Sequence, residues 1–500
     1  MSDPVPTPEF VAAYEAGQGA LAWAVEVADL ETPVAVFLKL ADGKPNAFLL
    51  ESVEGGAARG RYSIIGMAPD LVWRCRDGRA ELNRDALAAP HAFVAEDRPA
   101  LDSLRALLAE TRMALPPGVP PMCGGLFGYL GYDMVRLMER LPAKNVDVLG
   151  LPEALMMRPT LFAVFDTVRD ELTLAAPVYP RAGQSATQGW ARAQALIAEA
   201  QAALAQPLPR PPPPVTMPPP DPVPNMDRAA FEAMVVRMKE YIVAGDIFQA
   251  VPSQRFSAPF ALPPFALYRA LRRINPAPFL FFLDLGGFNI VGSSPEVLVR
   301  LRDGTVTIRP LAGTRPRGAT PEEDQRLEAE LLGDPKERAE HLMLLDLGRN
   351  DVGRVSALGT VRVTESFTIE RFSHVMHISS NVEGKIAPGL DALDALIGGF
   401  PAGTLTGAPK IRAMEIIEEL EPVRRGLYGG CIGYFAPDGT MDTCIGLRTA
   451  VVKDGVMHVQ AGGGVVADST PAAEYEESRQ KARALFRAAE EAVRFAAAAR

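Results

Sequence analysis

The sequence predicts an α+β protein in which large antiparallel sheets carry helices on their outer faces. Three observations point there. Apolar and polar residues alternate over residues 21–80, as in AVFLKLADG, FLLESVEGG and RYSIIGMAPD, with Gly and Pro between the runs. Past residue 245 the short apolar runs FLFFLDL, FNIVGSS, VLVRLRD and TVTIRPLAG follow one another at hairpin spacing. A further strand-and-helix series closes the chain, which places helices outside large sheets.

In chain order, residues 21–80 read as strands and hairpins, followed by a helix over Leu101 to Met113. LFAVFDTV and ELTLAAPVY read as strands, and the alanine-rich Trp190 to Gln206 as a helix. Residues 1–206 form an N-terminal α+β region. Residues 207–224, PLPRPPPPVTMPPPDPVP, support neither helix nor sheet ladder and favour extended polyproline II. They are a stiff connection, or a ligand for a proline-recognising domain. Residues 225–500 form the second region. It opens on a helix ending near Gly245 that feeds a strand, FQAVPSQRF, and it closes with strands in GGCIGYF, DTCIGLRTAVV and MHVQAGGG before a last helix.

Composition narrows the function. Lys+Arg 51 against Asp+Glu 61 gives a formal charge of −10 without a basic run, which excludes ordinary nucleic-acid binding. Cys75, Cys123, Cys431 and Cys444 lie far apart with no CxxC pair, so they read as buried thiols in a reducing compartment. The opening MSDPVPTPEF lacks the basic start and apolar core of a signal peptide, and no apolar run approaches the roughly 18 to 20 residues that span a bilayer. A cytoplasmic protein without membrane attachment is expected.

The chemistry gathers at DPKERAEHLMLLDLGRND, Asp334 to Asp351. Pro335 suits the first helical turn, and Glu337, Glu340 and His341 share a helix face. STPAAEYEESRQKARALF repeats the device with Thr470 as cap, Pro471 at the first helical position, and Glu474, Glu477 and Lys481 on one face. Brought together, two Glu-x-x-Glu faces offer only hard oxygen donors, the ligand set of Mg²⁺; apart, they are two solvated helix faces.

Glycine-bearing turns in PLAGTRPRG, FPAGTLTGAPKIRAMEII and QAGGGVVADS could bring backbone amides to an anion, though none is a P-loop. Arg448 lies on an apolar strand and needs a counter-anion if it points inward. His377 reads either as an acid–base group or as a satisfied core histidine, and Tyr428 as a ligand or a turn-packing ring.

Together AGTRPRG, DPKERAEHLMLLDLGRND, GTLTGAPKIRAMEIIEELEPVRRGLYGGCIGYF, DTCIGLRTA and QAGGGVVADSTPAAEYEE resemble the chorismate-using enzymes, most of all the anthranilate synthase component I family, from roughly residue 20 to 490. The resemblance implies an α/β sandwich, with the active site in the second region and an effector site between strands of both. It implies Mg²⁺ among Glu337, Glu340, Glu474 and Glu477, with Glu340 and Glu477 as direct ligands, and the ring carboxylate of chorismate would bridge to that metal. The enolpyruvyl carboxylate would meet Tyr428, Arg448 and the amides of Gly462, Gly463 and Gly464, with Lys481 nearby. Gly313, Thr314 and Thr404 would line the ring.

Glu296 matches the family's general acid for the departing C4 hydroxyl, and His377 would assist the loss of pyruvate. Water-using relatives carry Lys at the position of Gln249, and aminodeoxychorismate synthases commonly carry Lys at Ala312. Neither Gln249 nor Ala312 can do that chemistry, so ammonia adding at C2 and an anthranilate product are implied. Some aminodeoxychorismate synthases lack that Lys and remain the alternative, as does a catalytically dead, tryptophan-sensing subunit.

LLES (with Leu50, Glu51 and Ser52) and NPAPFLFF (with Asn275, Pro276, Pro278, Phe279 and Leu280) resemble the two pieces of the family's tryptophan site, with Tyr434 and Cys444 beside it. The second piece differs from the commoner NPSPYM at Ala277, Phe279 and Leu280. No G-x-C-x-G elbow with a following His-x-Glu occurs, so a separate glutamine amidotransferase subunit, and hence a hetero-oligomer, is implied.

Overall fold

The structure is a computed structural model that describes residues 5–54, 58–209, 218–372 and 375–498. Residues 210–217 of the proline-rich stretch and the first four residues of the chain lie outside it.

Strands from before and after the proline-rich stretch join, block to block, in two antiparallel ladders. One runs Ala20–Val27, Glu171–Val178, Ala154–Asp166, Ala58–Arg76, Ala47–Glu54, Phe279–Asp284, Asn289–Ser294, Thr449–Lys453, Val456–Gly462 and Ser253–Pro259. The other leaves Ala154–Asp166 through Leu126–Leu130, Cys431–Phe435, Met441–Ile445, Val297–Arg302 and Thr305–Ile308 to Val375–Lys385. Phe48 of the first ladder stacks on Phe127 of the second at 4.8 Å, and Phe127 stacks on Tyr434 at 5.2 Å. An apolar layer therefore lies between the ladders. Helices cover the outer faces: Leu485 and Phe486 of the last helix pack on the first ladder, Leu393 and Leu396 of Ala392–Gly399 on the second. The architecture is the α+β sandwich expected from the sequence.

Three local readings are corrected. AVFLKLADG is not a strand: Pro33–Leu40 is a helix, capped by Thr32 and started by Pro33, and it buries Pro33, Val36, Phe37 and Leu40 at helical spacing. Apolar–polar alternation over so few residues fits either period, and the cap decides. FQAVPSQRF is two pieces, Gln249–Ala250 and Ser253–Pro259. Pro252 has no N–H for a ladder, and the short piece pairs instead with Gly407–Ala408. DTCIGLRTAVV likewise breaks between Met441–Ile445 and Thr449–Lys453, with Arg448 at φ +49.

The Pro252 break is held by a buried ion pair. Glu421 Oε1 accepts the Ser253 amide at 2.8 Å and the Ser253 hydroxyl at 2.8 Å, and both Glu421 oxygens accept Arg425. Arg425 also donates to the carbonyls of Val251 at 2.5 Å and Leu405 at 2.7 Å. Burial works against the guanidinium, but the Glu421 carboxylate overcomes this and holds its pKa above the usual arginine range. Glu421→Ala leaves that charge buried and unpaired, and lowers the unfolding free energy by about 3–5 kcal/mol. Urea denaturation of the full chain checks it; a loss below about 1 kcal/mol would remove the pair from this role.

Candidate active site

Pro335–Gly353 and Pro471–Ala498 bring the two Glu-x-x-Glu faces to one cleft of about 1200 Å³. Asp334 caps the first helix through the Lys336 and Glu337 amides at 2.9 and 3.3 Å, and its other oxygen holds Arg315 at 2.9 Å. Arg315 donates in turn to Glu337 at 3.2 Å, which fixes that carboxylate at the cleft wall. Glu340 accepts Gln249 Nε2 at 3.0 Å, and Glu477 pairs with Lys481 at 2.7 Å. Glu474 is buried, with Oε2 unpartnered. Burial raises the pKa of Glu340, with the Glu337 and Glu477 charges adding to it; burial also raises that of Glu474, next to Glu477.

Like-charged carboxylates so arranged repel one another and gain from a cation between them. Among the described residues no three His, Cys, Asp or Glu side chains form a closed metal cage. Mg²⁺ does not need one, because it keeps waters and uses one or two carboxylates plus substrate oxygens. The orphaned Glu474 oxygen and the all-oxygen donor set fit that ion.

Val456–Gly462 delivers the glycine run to the same place. A Cβ at Gly462 would lie 2.0 Å from the Pro252 carbonyl, at Gly463 2.8 Å from Glu474 Oε2, and at Gly464 2.3 Å from Gln249 Nε2. The run is glycine because carboxylates, amide and backbone close on it from all sides. Gly462 and Gly464 line the cleft, while Gly463 backs the two carboxylates. Lys481 donates to the Gly462 carbonyl at 3.0 Å. Tyr428 is buried in the wall, its phenol raised above its usual range by burial, with the Arg425 guanidinium 5.5 Å from its ring. The Arg448 guanidinium has no hydrogen bond or ion pair among the described residues. Burial lowers its pKa and only the Glu296 charge opposes this, so it presents an unneutralised cation to the cleft.

Across the cleft stands Glu296, just before Val297–Arg302 and 7% exposed. Thr404 Oγ1, on a short 3₁₀ turn, donates to Glu296 Oε1 at 3.1 Å. Burial pushes the Glu296 carboxyl up to about 8, against the Thr404 hydrogen bond and the Arg448 charge. It is therefore a carboxylic acid near neutral pH. His377 is pushed down to about 4 by burial and stays neutral. Its Nδ1 lies 2.8 Å from the Gly313 carbonyl and 3.1 Å from Thr314 Oγ1. A carbonyl only accepts, so Nδ1 carries the hydrogen and Nε2 is the basic atom. Gly313, at φ +67, turns its carbonyl to that ring.

His341, read from helix spacing as part of the polar face, does not join. It is fully buried, bonds Ser380 Oγ at 2.6 Å and packs edge-on against Phe367. Residues i and i+4 share a face, but the last third of that face turns into the core.

The other predicted residues fall on adjacent strands. Ser52 pairs with Phe279 and Glu51 with Leu280 in register. Leu50, Phe279, Tyr434 and Cys444 face the layer between the ladders, whereas Leu280 faces the helical side. Glu51 also turns to the helices, held by Tyr268 and by Arg272 at 2.6 and 2.9 Å. Ser52 Oγ donates to the Tyr62 carbonyl at 3.1 Å. Asn275 and Pro276 reach the rim of the cleft, next to Pro278 in sequence. Sequence reasoning missed Arg315, Lys336 and the Glu421–Arg425 pair. All of them sit in motifs already rich in charge, and only contacts with other segments reveal their roles.

Residues 31–487 match the family described as chorismate binding enzyme. The chain is 56% identical to anthranilate synthase component 1 of Cereibacter sphaeroides, over 97% of this chain and 98% of that one. It is 49% identical to the protein of the same name from Pseudomonas putida, over 96% and 97%. The crystal structure of anthranilate synthase component I from Streptococcus pneumoniae TIGR4 superposes with a TM-score of 0.74 at 35% identity, covering 92% of this chain and 98% of that one.

The His377 environment makes a direct prediction. In NMR spectra of histidine-labelled protein, the resonance lost in His377→Gln stays that of a neutral, Nδ1-protonated ring from about pH 6 to 8. A midpoint within that window would contradict the buried geometry.

Proposed function

The chain belongs to the chorismate binding enzymes, in the anthranilate synthase component 1 branch, and we propose that it converts chorismate and ammonia to anthranilate and pyruvate in the first step of tryptophan biosynthesis. The observation that carries this is one cleft holding a neutral buried acid, Glu296, opposite the unneutralised Arg448 and the carboxylate cluster. Chorismate carries two carboxylates and a hydroxyl that must leave as water. Arg448, Tyr428 and the Gly462 to Gly464 backbone bind one carboxylate with donors already in place. When bound by Glu340 and Glu477, with Glu337 and Glu474 around them, Mg²⁺ supplies positive charge for the other carboxylate.

Ammonia adds at C2, and Glu296 gives its proton to the C4 oxygen, which departs as water. Thr404 fixes the carboxyl that does so. His377 Nε2 then takes the C2 hydrogen as the C3–O bond breaks and pyruvate leaves, which makes the ring aromatic. Gln249, tied to Glu340, cannot activate water, and Ala312 offers no nucleophile where it lines the cleft. Both features favour ammonia as nucleophile and anthranilate as product.

The chain works with a separate glutamine amidotransferase in this reading, and tryptophan inhibits it at the Ser52, Phe279 and Tyr434 cluster. Register supports the effector assignment, since both sequence pieces lie on paired strands next to the segment that rims the cleft. Among the described residues no helix is long and apolar enough to cross a membrane.

The test is chorismate, Mg²⁺ and ammonium with fluorescence for anthranilate. Product formation that stops with EDTA supports the reading, and aminodeoxychorismate as the product would overturn it. Because the acid form of Glu296 is required, the rate holds below about pH 8 and falls as that carboxyl ionises above it. Glu296→Gln reduces kcat by about 10²-fold or more with little change in KM; unchanged kcat would remove it as the acid. Ser52→Phe fills the space beside Phe279 and abolishes inhibition by tryptophan without loss of turnover. Inhibition unchanged in that variant would exclude this site.

A further inference from the structure

A second, smaller cavity lies behind Glu296. It has about 30 Å³, and its lining includes Glu296, Thr404, Asp351, Gly399, Gly348 and Ile308. Asp351 is the last residue of the DPKERAEHLMLLDLGRND motif, and its partner Lys410 lies in GTLTGAPK. Neither is used in the reaction derived above. Asp351 is 4% exposed. Its Oδ2 accepts Lys410 Nζ at 2.7 Å, whereas its Oδ1 is buried without a partner.

A buried carboxylate oxygen left unpaired is costly, and a cavity with more than roughly 10–15 Å³ and polar groups in its lining can hold a water. The other lining side chains are apolar, so the few polar groups fix where that water bonds. We propose that this cavity holds one water molecule that bridges Asp351 Oδ1 to the Glu296 carboxyl, making Asp351 and Lys410 positioning residues for the acid. Asp351 accepts one hydrogen of the water, and the other goes to a Glu296 oxygen. The water, Thr404 and the Leu311 amide then all donate to Glu296, so its acid hydrogen is spent on none of them.

The charged groups around the two carboxyl groups are few. Glu296 is faced by Arg448 and Glu370, and Asp351 by Lys410 and Arg354 with the Asn350 amide. Replacing Asp351 by Asn keeps its shape but leaves the Lys410 charge unbalanced behind Glu296, which favours the ionised acid. Gly348→Ala tests the water without touching a charge. A Cβ there meets Ile308, Val382 and Pro310 at 3.6 to 3.9 Å, ordinary contacts, while it takes up cavity space.

The inference rests on Glu296 being the acid of the proposed reaction, so wild type and Glu296→Gln are assayed alongside, with chorismate, Mg²⁺ and ammonium. In Asp351→Asn, kcat falls about tenfold, KM for chorismate stays within about twofold, and the basic limb of the pH profile moves to lower pH. Gly348→Ala lowers kcat several-fold at undiminished thermal stability, and a high-resolution crystal structure shows the bridging water in wild type and not in this variant. Turnover that needs Glu296 but is unchanged, with an unmoved pH limb, in both variants overturns this inference alone, as does a crystal structure of wild type without the water. Absence of wild-type turnover overturns the reaction and this inference with it.

Discussion

The Glu421–Arg425 ion pair is the constraint on which the site depends. It lies at the point where the second region cannot continue a ladder, because Pro252 interrupts the strand. Through it one carboxylate accepts the Ser253 amide and hydroxyl, and one guanidinium donates to the Val251 and Leu405 carbonyls. Val251 is two residues from Gln249, Leu405 follows Thr404, and Arg425 stands over the Tyr428 ring. Ser253 also accepts Gln460 Nε2 at 2.8 Å, two residues before Gly462. Four segments that carry cleft residues thus meet at one buried pair. A pair of this kind adds little net stability over an apolar substitute, but removing one partner leaves a charge that the interior cannot solvate. Its effect is to fix the relative placement of segments distant in sequence.

Around that anchor the cleft keeps opposite electrostatic demands apart. The carboxylates of the two helices are held by Arg315, Gln249 and Lys481, so they remain separate groups at one wall. Glu296 is isolated from them in an apolar recess, with Thr404 donating to it, and burial keeps it protonated. The same residue type therefore serves as anion and as acid within one cleft, and surroundings alone decide which. Arg448 is the complement. A cation without a protein partner is tolerable only where a ligand anion or solvent reaches it, and its left-handed backbone places it outside the ladder that would otherwise absorb it.

Much of this was legible in the sequence for physical reasons that can be named. Pro335 and Asp334 mark a helix start whatever the tertiary fold, and the Glu-x-x-Glu spacing follows from helix geometry. The order of the strands in the sandwich was not legible, because pairing between Ala47–Glu54 and Phe279–Asp284 spans more than two hundred residues and leaves no local signal. The Pro33–Leu40 helix was misread because eight residues satisfy both periods, and Thr32 as a cap carried the decisive information. His341 was misread differently. Spacing gives the face of a helix, but whether that face meets cleft or core depends on Ser380 and Phe367 from strands formed later in the chain.

The geometry also joins the proposed effector segment to Arg448. Ser293, with no exposed surface, donates its hydroxyl to the Asn275 carbonyl at 2.5 Å and its amide to the Arg448 carbonyl at 3.2 Å. Asn275 ends the Pro264–Ile274 helix and begins the segment that rims the cleft, while Phe279, four residues on, lies in the layer between the ladders. A ligand that displaces Phe279 acts on a short, proline-bounded segment with little freedom to absorb the movement, and Pro276 and Pro278 stiffen it further. The displacement meets Arg448 through one buried serine. Close packing leaves such a segment a small number of discrete positions, and two sites that share it are coupled to the extent that each favours a different one.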